Sequence, residues 1–137
     1  MSLVVDASMA IAWFFEDEGR DVVAAVLQRV VTEEAFVPSL WRIEVANALR
    51  SAVRRKRCEA SYAERCLERL GRLRISIDPE TDLHAWGRTR RLSDRHDLTL
   101  YDAAYLELAI RRKQPLASRD AALVAAARTA GLVVFGN

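Results

Sequence analysis

The stretch LTLYDAAYLELAIRRKQPLASRD, residues 98–120, decides the architecture. Thr99 is a residue type suited to capping a helix, and Tyr105, Leu106 and Ala109 follow Asp102 at three, four and seven positions, the spacing of one helical face. Pro115 bars the helix from continuing, Leu116-Ala117 reads as a short buried strand, and Ser118 or Asp120 can cap the helix after it. Helix, strand and helix start therefore follow one another with almost no loop, the unit of an alternating α/β chain. Two carboxylates, Asp102 and Asp120, stand in this unit with no basic residue at helical spacing.

The same alternation extends outward. Strands are expected at residues 3–5, 35–37, 75–77, 116–117 and 132–135, with punctuation at Asp6, Pro38-Ser39, Asp78-Pro79, Pro115 and Gly136. They lack strict alternation, as parallel strands covered on both faces do. Ser39 is expected to cap a helix from about 40 to 56, whose stripe is Trp41, Val45, Ala48, Leu49 and Ala52. Ser61 with Glu64 reads as a capping box on a helix ending at Gly71, and Asp78 before Pro79 as an N-cap with proline at the first helical position. A last helix stops at Gly131. The expectation is a three-layer α/β domain over residues 1–137, with a five-strand, mainly parallel sheet flanked by helices.

Bulk composition narrows the function classes. The 137 residues are 51% hydrophobic and 29% charged, which places the chain among globular rather than disordered sequences. Its longest apolar run, residues 9–15, is far short of the roughly 20 residues that span a membrane. No basic segment precedes the first apolar run, so no leader is expected. Cys58 and Cys66, if on one continuous helix, would stand about 12 Å apart, too far for a disulfide; a loop before Ser61 loosens that bound. With only two histidines and no CxxC, a zinc site is not expected, and a reducing cytoplasm is the expected compartment.

Four acids remain to be explained: Asp6 after the first strand, Glu44 in IEVANALR, Asp102, and Asp120 in ASRDAAL. Each has a bland account. Asp6-Ala7-Ser8 can be a strand-to-helix turn capped by Ser8, and Glu44 a solvated residue beside Asn47 and Ser51. Asp102 can close a capping box with Thr99, and Asp120 can be an N-cap. These accounts require four separate coincidences, whereas one hard divalent cation compensates all four charges. Oxygen-only ligands point to Mg²⁺ or Mn²⁺, and such clusters serve phosphodiester hydrolysis. In open parallel sheets, ligands bind beyond the carboxyl ends of the strands at the switch point; a sheet with its first and fourth strands adjacent brings Asp6, Ser118 and Asp120 together there. Glu33-Glu34 precedes its strand and belongs at the opposite end.

The net charge is only +2, yet basic residues cluster at Arg54-Arg55-Lys56-Arg57, Arg88 to Arg91 and Arg111-Arg112-Lys113. Solvated helix ends account for any one cluster; three together, beside an acidic site, fit a nucleic-acid footprint. Trp13, Phe14 and Phe15 are too apolar all round for one small-domain helix to bury completely. Part of that surface, with the helices from 40 to 71, is expected to cover a two-fold interface.

In order and spacing, Asp6-Ala7-Ser8, Ile43-Glu44-Val45-Ala46-Asn47-Ala48-Leu49, Leu98-Thr99-Leu100-Tyr101-Asp102-Ala103-Ala104-Tyr105-Leu106 and Leu116-Ala117-Ser118-Arg119-Asp120 resemble the PIN-domain ribonucleases. More narrowly the chain is similar to the VapC-type toxins of bacterial toxin–antitoxin pairs, over essentially its whole length. The resemblance implies a Mg²⁺- or Mn²⁺-dependent endoribonuclease. Its acidic metal positions match Asp6, Glu44, Asp102 and Asp120, and its small hydroxyl near the first acid matches Ser8. Ser118 stands where threonine is usual, and Leu123 where some members carry a further acid, which leaves a fifth ligand without a residue. The resemblance also implies an RNA substrate, a homodimer, a cognate antitoxin whose C-terminal segment occupies the acidic cleft, and a parallel sheet with strands one and four adjacent.

Two other classes stand against this reading. In a phosphotransfer or phosphohydrolase α/β domain Asp6 would be the covalent nucleophile; such sites want a second acid close by and a positioned lysine, and the only lysines are Lys56 and Lys113. A non-catalytic RNA-binding module is the second, and four intact acids argue against it. A dinucleotide site is excluded, since the five glycines form no phosphate-binding loop.

Overall fold

Short strands rich in branched residues are stable when both their faces are covered, and the two central strands of this chain are fully buried. The computed structural model describes residues 2–15 and 19–136. Five strands, β1 (Leu3–Val5), β2 (Ala35–Val37), β3 (Ile75–Ile77), β4 (Leu116–Ser118) and β5 (Val134–Gly136), form one sheet in the order β3-β2-β1-β4-β5. Every pairing is parallel. β1 is central and fully buried, and its alternating side chains divide the core. Leu3 and Val5 pack with Met9, Val26 and Val30 on one face, and Val4 packs with Leu106, Leu108 and Leu123 on the other.

The helices that cover the sheet are α1 (Ala7–Phe15), α2 (Arg20–Thr32), α3 (Trp41–Arg54), α4 (Ala60–Gly71), α5 (Thr81–His84), α6 (Arg90–His96), α7 (Leu100–Arg112) and α8 (Ala121–Thr129). A π-helical turn, Ala85–Thr89, joins α5 to α6. Among the described residues no helix is long and apolar enough to cross a membrane.

Helix α7 begins as expected, with the Thr99 hydroxyl accepting the Asp102 amide at 3.1 Å. It is buried more completely than its stripe predicts: residues 103–109 are all inaccessible, because α7 lies between the sheet and the layer formed by α6 and the π turn. The last helix also ends as expected, at Gly131 with φ +82°. Gly136 fills a tighter requirement. Beside β4, a Cβ at this position would lie 1.9 Å from the Ser118 carbonyl oxygen, so the pairing that fixes the end of β4 admits only glycine.

Three expected caps are not formed. The Ser39 side chain does not cap α3; its amide donates instead to the Thr81 hydroxyl at 2.9 Å. Helix α4 starts at Ala60 after Glu59, so Ser61 lies inside it and closes no box with Glu64. Asp78 is taken by a tertiary partner: Arg111 donates to its two carboxylate oxygens at 3.1 and 2.6 Å, and to Glu107 at 2.8 and 3.1 Å. Both acids are buried, and their hydrogen bonds, Glu107 foremost, push the Arg111 guanidinium well above its ordinary value. A buried charge outbids a local turn preference because leaving it unpaired costs several kcal/mol, against about 1 for a cap.

Trp13, Phe14 and Phe15 are partly buried and pack against the chain's own core. Tyr62 of α4 donates to the Phe14 carbonyl at 2.8 Å and meets Phe15 edge-on at 5.7 Å, while Arg69 and Arg57 cover the rings of Phe14 and Phe15. Cys58 lies in the turn before α4 and Cys66 within α4, both as free thiols.

Candidate metal centre

The sheet order reverses between β1 and β4, and the residues that follow these two strands meet at that reversal. Asp6 leaves β1 with its amide donating to the Ala117 carbonyl at 3.1 Å. Its Oδ1 accepts the Met9 amide at 2.9 Å, so Asp6 itself, not Ser8, caps α1. Ser118 at the end of β4 donates to Asp6 Oδ2 at 2.6 Å and accepts the Asp120 amide at 3.0 Å. Ser8 donates to both Asp6 oxygens, at 2.7 and 2.9 Å, and accepts the Arg119 amide at 2.9 Å. Two hydroxyls thereby stitch the segment after β1 to the segment after β4.

Asp120 caps α8, its Oδ1 accepting the Leu123 amide at 2.9 Å. Asp102 lies half-buried in the first turn of α7. Glu44 enters from the first turn of α3 and accepts a hydrogen bond from the buried Tyr105 hydroxyl. Tyr105 is the supporting residue that local sequence hides: by spacing it reads as one member of the apolar stripe, although a buried tyrosine needs a partner for its hydroxyl. Leu123, at the position of the absent fifth acid, is fully buried in the core.

Electrostatics tie the four acids together. Burial pushes the Asp6 carboxyl up to about 6 against the hydrogen bonds from Ser118, Met9 and Ser8, and the charge of Asp102 adds to the rise. Burial likewise raises Glu44, which Tyr105 opposes and Asp102 reinforces. Asp102 is itself raised, first by burial and then by the charge of Asp120, with Thr99 opposing. Asp102 is thus the hub through which all four interact. Among the described residues none of the four forms an ion pair, in contrast to Asp78 and Glu107, which share Arg111.

A cluster of mutually repelling carboxylates has the donor chemistry of a hard-metal site. Its present geometry is not a closed cage: among the described residues, no three His, Cys, Asp or Glu side chains are drawn together closely enough to hold an ion by themselves. A hard cation held here would take one or two carboxylates and complete its shell with water. Asp6 retains capacity for such a contact, since three donors approach about four acceptor positions. As a covalent nucleophile it is poorly placed, being 3% exposed and held on both oxygens.

The arginine clusters divide. Arg111 is consumed by buried acids, and Arg112 stacks on Phe36 with its guanidinium carbon 3.6 Å from the ring centre. Two members of the third basic run, Arg111 and Arg112, are thus engaged within the fold.

A family model described as PIN domain matches residues 3–129. No curated protein matches the chain in sequence. Among solved structures the chain is similar to PAE2754 from Pyrobaculum aerophilum, with 24% identity and a TM-score of 0.70 over 98% of this chain and 90% of that one. It is similar also to a chain of VapBC2 from Rickettsia felis, solved bound to a DNA fragment from their promoter (12% identity, TM-score 0.65, 99% and 98% covered). A third is VapC20 from Mycobacterium tuberculosis, described as a sarcin-ricin loop cleaving toxin (14% identity, TM-score 0.64, 96% of each chain covered). At these identities the structural likeness speaks for the fold.

Proposed function

The chain belongs to the PIN-domain family, and from that premise we propose that it is a Mg²⁺- or Mn²⁺-dependent endoribonuclease, the toxin of a toxin–antitoxin pair. The observation that carries the proposal is the electrostatic coupling of Asp6, Glu44, Asp102 and Asp120 at the β1–β4 reversal. The description of VapC20 as a toxin that cleaves the sarcin-ricin loop supports RNA as the substrate class.

A divalent cation bound here supplies charge stabilisation at the phosphoryl oxygens and a more acidic water. The chain's own residues prepare that chemistry. Ser118 and Ser8 fix the orientation of Asp6, so its remaining acceptor position is set in advance. Tyr105 does the same for Glu44 from the core side. Asp102 and Asp120 stand at helix starts, where backbone amides favour negative charge. One of these carboxylates would orient the attacking water.

The partners proposed are RNA, a cognate antitoxin whose C-terminal segment enters the acidic cleft, and a second copy of the chain. For the homodimer the supporting surface is an apolar groove across α3, α4 and the edge strand β3, where Ile43, Leu67 and Ile77 are exposed. Light scattering at micromolar concentration should give twice the chain mass; a monomer counts against the interface. The function itself is tested by incubating the purified protein with structured RNA. Cleavage with Mg²⁺ or Mn²⁺ that stops on adding EDTA is expected, and undiminished cleavage in EDTA overturns the assignment.

A further inference from the structure

We propose that the groove between α6 and α7 is a second RNA-holding subsite, apart from the acidic cluster, which seats one nucleotide by its phosphate. This rests on the ribonuclease reading and deepens it. The groove is a cavity of about 410 Å³ lined by Arg88, Arg91, Leu92, Arg95, Glu107 and Ile110, and it shares no lining residue with the acidic cluster. Its volume falls toward the lower end of small-ligand pockets, about 300–1,000 Å³.

Arg88, Arg91 and Arg95 are spaced three and four residues apart, so they share one face of the segment formed by the π turn and α6. All three are exposed, and among the described residues none has an ion pair, hydrogen bond or ring contact. Several other arginines are occupied within the fold: Arg111 with two buried acids, Arg112 on Phe36, Arg57 and Arg69 on Phe15 and Phe14. Unoccupied guanidinium forks gathered on one cavity wall are the arrangement that grips a phosphate bidentately.

The carboxylate in the lining does not cancel this field. Glu107 is held by Arg111 at 2.8 Å and faces outward only through a 3% exposed residue, so the three arginines dominate what a ligand meets. Leu92 and Ile110 provide an apolar wall beside the forks, suited to the flat face of a base or the edge of a ribose. An acidic protein segment would satisfy the arginines but brings no flat ring to the Leu92–Ile110 wall, so single-stranded RNA is the occupant the groove favours.

The test uses the full chain and a 2′-O-methyl RNA oligonucleotide, which cannot be cleaved through its 2′-hydroxyls, followed by fluorescence anisotropy across a salt series in EDTA. The variant Arg88→Ala/Arg91→Ala/Arg95→Ala should bind roughly tenfold more weakly or worse, and its log–log salt slope should fall by about 2, from three contacts at roughly 0.7 each. The corresponding triple lysine variant, which keeps charge, should retain the wild-type slope, and thermal melts should show both variants folded. Wild-type affinity and slope in the alanine variant overturn the subsite, including the case in which the groove takes an acidic peptide instead. The two readings fail separately. Arginine-dependent binding without cleavage of natural RNA in Mg²⁺ sinks the ribonuclease assignment alone, and cleavage with arginine-independent binding sinks the subsite alone.

Discussion

Replacing Asp6 with asparagine should make the metal-free protein more stable at alkaline pH and flatten its pH dependence. In the folded chain burial holds the Asp6 carboxyl at about 6, against 3.8 for the unperturbed group. That difference corresponds to about 3 kcal/mol of preference for the protonated form. Below pH 4 both folded and unfolded chains carry the proton, and the group does not affect stability. Between about 4 and 6 the unfolded chain releases its proton while the folded one keeps it, so stability falls as pH rises; above 6 the full cost stands. Asparagine is neutral throughout. Its carbonyl can still accept the Met9 amide, and the Ser8 and Ser118 hydroxyls can rotate to meet its amide group. Urea melts in EDTA should therefore favour Asp6→Asn at pH 8 by up to about 3 kcal/mol, less what the weaker neutral hydrogen bonds give back, and should converge with wild type near pH 4. In saturating Mg²⁺ the order should invert, because only the wild type gains by binding. Parallel pH curves for the two proteins, or equal stabilisation by Mg²⁺, would refute the reasoning.

Arg111→Met should lower stability by about 3–5 kcal/mol, since it strands the buried carboxylates of Asp78 and Glu107; an unchanged urea midpoint would contradict the buried triad. Tyr105→Phe keeps the packing but removes the donor that orients Glu44, so we expect a loss of about 1–2 kcal/mol. With it, kcat for RNA cleavage should fall roughly tenfold at little change in KM, in line with loss of a residue that supports a metal ligand. A normal kcat would remove Tyr105 from the site's support.

The first four strands were legible because punctuation marks them: Asp6, Pro38, Asp78-Pro79 and Pro115 all mark real ends, whereas the fifth runs Val134–Gly136 rather than 132–135, with Gly136 inside it as the pairing partner of Ser118. Parallel pairing with β1 beside β4 followed from the helix between each pair of strands together with the family resemblance. What local sequence misjudged was competition between neighbours in sequence and neighbours in space. Asp78 looks like a cap until Arg111 is brought to it, and Arg111 looks like part of a basic run until its i−4 partner Glu107 and distant Asp78 are both seen. The Glu107–Arg111 spacing was a readable signal; Asp78 was not. Tyr105 could have been paired in principle, since its position in a buried stripe demanded a hydrogen-bond acceptor, but nothing local singles out Glu44, 61 residues away. The π turn carries no sequence signature, and it helps set the face shared by Arg88, Arg91 and Arg95.

The central claim is that acids from four distant segments act as one metal site with Asp102 as its hub, and Mn²⁺ binding tests it most directly. Titration of Mn²⁺ into the purified wild-type chain and into Asp102→Asn, with free Mn²⁺ read by electron paramagnetic resonance, separates this claim from the capping account of Asp102. The metal-site account predicts saturable binding in the wild type, binding weakened by an order of magnitude or more in the variant, and a melting temperature in EDTA that holds or rises because repulsion with Asp6, Glu44 and Asp120 is relieved. Equal Mn²⁺ binding by both proteins, with the variant merely less stable by about 1 kcal/mol from a weaker helix start, would contradict it.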